Sequence, residues 1–131
     1  MHLKKICLLF SLFLWSVFSW AETYTTNFSA PSNTPGRAWS YGFVIDFIQN
    51  EGGVVSGEIT RFYGADRCRW PGTKLNGHVK GNGDVQWQTE QNPLQGCGTI
   101  RFVGKKEDGK LVGYLPRFQG VKVDLELLLD K

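Results

Sequence analysis

The side chains in this sequence that could do chemistry are few, and their spacing limits what that chemistry is. Of three cysteines, Cys7 lies in an apolar leader, while Cys68 and Cys97 lie in the body of the chain. An even pair in a small domain that passes an oxidising compartment forms one disulfide. A metal site would need more ligands than this. His78 is the one histidine beyond His2, and no Cys-x-x-Cys spacing accompanies it. No metal and no cofactor are expected. His78 and Glu58 occupy matching positions in two similar segments, so adjacent strands would let them face each other as an acid–base pair. An exposed cross-strand pair is the commoner meaning of such a match. Ser56 lies nearby without an activating geometry, Glu107-Asp108 belongs to a turn, and no phosphate-binding glycine loop opens a helix. The expectation is a protein without catalytic residues.

The second group is arginine mixed with aromatics. Arg67, Arg69 and Trp70 crowd around Cys68, Gln95 is close to Cys97, Arg117 and Phe118 follow Pro116, and Arg37 ends a polar stretch. Arginine grips carboxylate or phosphate with two parallel hydrogen bonds. Together with aromatics it is the composition of interface hot spots. Whether these residues form a site depends on whether the elements of the chain bring them to one place.

Those elements are built on a theme that occurs three times: Val55-Ser56-Gly57-Glu58-Ile59, Leu75-Asn76-Gly77-His78-Val79 and Leu111-Val112-Gly113-Tyr114-Leu115. Each copy follows a turn signal, and alternation at period 2 marks a half-buried strand. A glycine on the apolar side of that alternation marks a sharp bend or a close approach of two backbones. Further strands are expected at 39–48, 85–90, 99–106 and 121–129, with 23–28 as a short additional one. In the first, Trp39, Tyr41, Phe43, Ile45 and Phe47 fall on one face, an aromatic stripe whose economical use is a core. No segment has a helical period. The expected fold is all-β: an antiparallel meander of seven to eight strands, closed as a small barrel, with a β-sandwich as the alternative.

In a meander, successive connections alternate between the two ends. The connections at 50–53, 81–84 and 107–109 then share one end and are short. Those at 64–72, 91–97 and 116–120 share the other, and they carry both cysteines and most of the arginines. The expected binding residues are therefore Arg67, Arg69, Trp70, Arg117, Phe118 and Arg37, held on loops by a rigid scaffold. The bland alternative is a solvated rim with Trp70 packed over the disulfide.

Residues 1–21 read as a secretory signal peptide, with Lys4 and Lys5 ahead of an apolar run and Ser19-Trp20-Ala21 at its end. Residues 22–37 read as a polar N-terminal arm, and 38–131 as a single barrel domain. No segment is long enough to span a membrane as a helix. The formal charge of +3 falls to +1 once Lys4 and Lys5 leave with the leader, too little for a general nucleic-acid binder. A periplasmic or secreted protein is expected.

The strand plan over roughly 39–129 resembles the calycin type of small exported barrel, in the broad sense of lipocalin-like and avidin-like meanders. In size and single disulfide the chain is also similar to the small periplasmic inhibitors of lysozyme. Arg37-Ala38-Trp39 departs at the glycine from a lipocalin's opening Gly-x-Trp motif, and neither resemblance carries over a functional residue. The functional expectation is a non-catalytic exported binding protein that uses its loop-rich end on a protein partner, an exported enzyme or toxin, in the manner of an inhibitor or immunity protein. The alternative is a carrier of a small apolar or amphipathic ligand inside the barrel, lined by Trp39, Tyr41, Phe43 and Trp87.

Overall fold

The computed structural model describes residues 19–31, 36–64 and 67–130. Eight antiparallel strands follow one another around a closed barrel: β1 (Ser19–Pro31), β2 (Ala38–Asn50), β3 (Val54–Tyr63), β4 (Thr73–Val79), β5 (Asp84–Thr89), β6 (Arg101–Glu107), β7 (Lys110–Phe118) and β8 (Val121–Leu129). β1 returns to β8 through Tyr24–Leu129 and Thr25–Leu128. Closure removes exposed sheet edges, as the meander reading requires, and the sandwich alternative is set aside.

The polar stretch read as an arm is largely barrel wall. β1 runs the full length Ser19–Pro31 and pairs along all of β2. Its signal is muted because Phe28 is the one large, wholly apolar side chain among its buried positions: Tyr24, Thr26, Phe28 and Ala30 are buried, with Thr25, Asn27 and Ser29 between them. The expected leader lies outside the described residues except for its last three. Ser19, Trp20 and Ala21 begin β1, opposite Asn50, Gln49 and Ile48.

The inward glycines explain how so tight a wall packs. Gly57, Gly77 and Gly113, joined by Gly104, lie on the inner face. A Cβ added at any of the four would come within 3.0 Å of a carbonyl oxygen of the neighbouring strand. Close backbone approach is thus their role, and Gly104 sits directly opposite Gly113. The space they leave is taken by rings. Trp87 stacks on Phe102 at 5.6 Å between centroids and meets Phe43 and Phe47 edge-on at 6.2 Å. Phe28, Tyr41 and Phe118 form a second cluster at 5.0–5.6 Å. Trp39 is a correction to the expected stripe: Tyr41, Phe43, Ile45 and Phe47 are buried, but Trp39 is 43% exposed, because β2 projects beyond the packed interior at its start.

The end with tight turns is closed from inside by a polar group. Lys106 Nζ donates to Glu22 Oε1 at 2.9 Å and to Gln49 Oε1 at 3.4 Å, and the Tyr24 hydroxyl donates to Glu22 Oε1 at 3.1 Å. Burial, and then the Glu22 carboxylate, hold the Tyr24 phenol above its ordinary value of 10.0. A group whose pKa folding raises contributes stability that is complete below the unfolded value and is lost as pH climbs past it. Tyr24→Phe is therefore expected to flatten the decline in stability above pH 10. At neutral pH it should cost about 1.5 kcal/mol, for the lost bond to a charged acceptor. Urea unfolding at neutral pH and at two pH values above 10 checks both parts. An equally steep alkaline decline in the variant would assign that decline to other groups.

Candidate functional site

The disulfide expected from the sequence is formed. Cys68 and Cys97 are bridged, with Cα atoms 5.8 Å apart, inside the limit of about 7 Å that a bridge tolerates. It ties the β3–β4 connection to the β5–β6 connection, and two more bonds run beside it. Arg67 Nη2 donates to the Gln95 carbonyl at 2.6 Å, and Asn92 Nδ2 donates to the Arg69 carbonyl at 2.8 Å. Asn92 is itself buried, and its Oδ1 accepts from the Leu94 N–H at 2.9 Å, so this loop is folded around it. A covalent bridge of this kind fits an oxidising compartment.

Against the disulfide lies a cleft of about 980 Å³, at the upper end of the range usual for ligand sites. Its walls come from three places: Arg67, Cys68 and Trp70; residues 96–101; and residues 116–120. Three exposed guanidiniums face it, those of Arg67, Arg101 and Arg117, and no carboxylate belongs to its described lining. None of the three is held in an ion pair among the described residues. The carboxylates that do pair with cations in the barrel pair with lysines: Glu58 with Lys74, Asp84 with Lys105, Glu22 with Lys106 and Glu126 with Lys110.

Of the six residues expected to bind, Arg67 and Arg117 meet in this cleft. Trp70 and Phe118 line it too, but as its floor and not as exposed anchors. Trp70 is 2% exposed and packs on Phe62 at 6.3 Å, while Phe118 is 4% exposed within the Phe28–Tyr41 cluster. The reason is hydrophobic closure: two connections at this end, 64–72 and 90–100, are long, and large rings at this end seal the interior beneath them. Arg69 and Arg37 are exposed and lie outside the lining. The expected loop at 116–120 is shorter than read. β7 continues through Phe118, with an extra residue bulged at Pro116–Arg117, and only Gln119-Gly120 turns the chain. Both turn residues have positive φ, 52° and 82°. Asparagine tolerates the left-handed region better than glutamine does. Gln119→Asn should accordingly raise the unfolding free energy by about 0.5 kcal/mol, and equilibrium denaturation reads it directly.

Arg101 is the residue that sequence reasoning passed over. Its signal was present, since it opens β6 at the loop-rich end and falls on the outward side, opposite Gln88. It also lines a second, smaller concavity of about 210 Å³ on the outer wall, with Asn76, His78, Gln86 and Gln88. The Glu58–His78 pairing does not form. In the observed register Glu58 is opposite Lys74, 3.5 Å from its Nζ, and His78 is opposite Val54. Antiparallel pairing sets Gly57 across from Leu75 and Gly77 across from Val55, so the two glycine segments are not in step.

Compared with known proteins, the chain matches no family model, no curated protein and no solved structure at a significant level. Among the described residues no helix is long and apolar enough to cross a membrane.

Proposed function

We propose that this is an exported binding protein, periplasmic or secreted and without catalytic activity of its own, that engages an anionic region of a protein partner at the arginine cleft. The partner class that fits is an exported enzyme or toxin, which the protein would inhibit or neutralise. One observation carries the reading: Arg67, Arg101 and Arg117 come from three separate segments and converge on one concave surface that has no described carboxylate. Gathering like charges works against the folded state unless an anion is met there, and the gathered charge steers an oppositely charged partner and fixes its register. The disulfide holds two of the three segments, which keeps the charges in place before binding.

The carrier reading has thinner support. Tyr41, Phe43 and Trp87 do belong to the interior, but they pack on one another and on Phe28, Phe47 and Phe102.

Passing the exported fraction of the source organism over the immobilised, oxidised protein tests the proposal, with the triple variant Arg67→Gln, Arg101→Gln, Arg117→Gln as its control. One protein held by the wild type, released by salt and absent from the variant is the expected result. Equal retention by both would move the binding surface away from the cleft.

A further inference from the structure

The cleft is also a place where the barrel wall parts. The β6–β7 ladder runs Glu107–Lys110, Lys106–Leu111, Lys105–Val112, Gly104–Gly113 and Val103–Tyr114, and there it stops. Both strands go on: β6 begins at Arg101, and β7 continues to Phe118. Continued in register, Arg101 would stand opposite Pro116, which has no N–H to give. On its other side β6 stays attached to β5. Ile100 donates its N–H to Thr89 Oγ1 at 2.9 Å and accepts from the Thr89 N–H at 2.9 Å. Backbone groups alternate in direction along a strand, so the next residue, Arg101, turns its N–H and C=O toward β7 and the cleft. The bulge at Pro116–Arg117 bends β7 away at the same level.

Resting on the binding role proposed above, we infer that the partner enters this cleft as an extended acidic segment that adds a strand between the parted ends of β6 and β7. Strand addition takes affinity from main-chain hydrogen bonds and specificity from alternate side chains. The chain offers the first through the Arg101 backbone. It offers the second through Arg101 and Arg117 on the two lips and Arg67 across from them, which together select carboxylates at alternate positions. The buried rings of Trp70 and Phe118 give the cleft an apolar floor beneath them. The barrel's shortest ladder, between β1 and β8, lacks this chemistry. There the Thr26 hydroxyl spans the gap to the Glu126 carbonyl at 2.7 Å, and Asp124 and Glu126 on β8 would repel an acidic strand.

The test is fluorescence anisotropy with a labelled decapeptide that alternates glutamate and valine. Alongside it go the same peptide N-methylated at every second backbone nitrogen, a lysine–valine counterpart and a sulfated oligosaccharide. The protein is used oxidised and complete, as wild type and as Arg101→Gln, Arg117→Gln. Saturable binding of the glutamate peptide is expected, weakened at least tenfold by N-methylation and at least tenfold by the double substitution, with no binding of the lysine peptide. If the N-methylated peptide binds equally well, strand addition is overturned while the arginine cleft stands as an anion site. If the sulfated oligosaccharide binds and the peptide does not, the partner is a polyanionic glycan and the inference fails. Binding of none of the anionic probes would overturn both this inference and the role of the cleft on which it rests.

Discussion

Replacing Gly113 by valine is expected to lower the unfolding free energy by about 3 kcal/mol or more, and Gly57→Val should do the same. Overpacking a core usually costs about 1–3 kcal/mol because neighbouring side chains can shift. Here the obstacle is backbone. A Cβ at Gly113 would lie against the Val103 carbonyl and the Gly104 Cα, and one at Gly57 against the Asp46 carbonyl. Relief requires two strands of a closed barrel to move apart, and closure passes that movement to the remaining strands. Two other glycines separate this cause from ordinary glycine effects. Gly81→Ala has open space and no left-handed backbone to resist it, so it should be neutral or stabilise by up to about 1 kcal/mol through the unfolded chain. Gly109→Ala also has open space, but φ is 74°, so it should cost roughly 1–2 kcal/mol. Urea unfolding followed by tryptophan fluorescence orders the four variants. Gly113→Val within 1 kcal/mol of wild type would show that β6 and β7 do not run as close as described.

The contrast among those glycines also explains what was legible in the sequence. A period-2 pattern with glycine on its apolar side is a local signal, and it pointed correctly to three inward close approaches and a closed wall. Gly104 escaped because its inner-side neighbours are Phe102 and Lys106, so the apolar pattern holds on one side of it only. Which end each connection occupies followed from counting alone, and the disulfide agreed with the count. Register was beyond reach, since it depends on which strand is displaced against which. Hence the matching positions of Glu58 and His78 suggest a pair, while in the barrel Glu58 meets Lys74. Exposure of ring side chains in loops was beyond reach for a different reason. Trp70 and Phe118 read as surface anchors next to arginines, yet an end with two long connections needs rings to seal it, and these two are buried there. Arg101 carries the opposite lesson, an arginine inside a strand pattern that matters because the strand begins at the cleft.

Removing the disulfide is the second large effect, and it should fall on stability and on the cleft together. Cys68→Ala, Cys97→Ala frees a loop closed over a separation of 29 residues. The chain-entropy account of such a loop gives a loss of about 3–4 kcal/mol, a large share of the roughly 5–15 kcal/mol that holds a typical domain. The two cysteines pack against the edge of the core and are not among its fully buried side chains, so a folded population should persist in the absence of denaturant. In that population the bonds from Arg67 to the Gln95 carbonyl and from Asn92 to the Arg69 carbonyl are among the ties left between the two loops. The Arg67 bond is exposed, and exposed polar ties contribute little when the chain around them is free to move. Arg67 should therefore lose its fixed position relative to Arg101, while Arg117, on β7, keeps its own. Two measurements separate these consequences. Urea denaturation reads the global loss, and amide hydrogen exchange reads where protection disappears. The expected pattern is faster exchange at 67–72 and 92–98, with β2, β3 and β5 still protected relative to their new global stability. If exchange accelerates uniformly, the bridge acts on the whole barrel and the cleft has no separate rigidity to lose. If protection is lost only in the two loops and anion binding weakens with it, the disulfide is what preorganises the site.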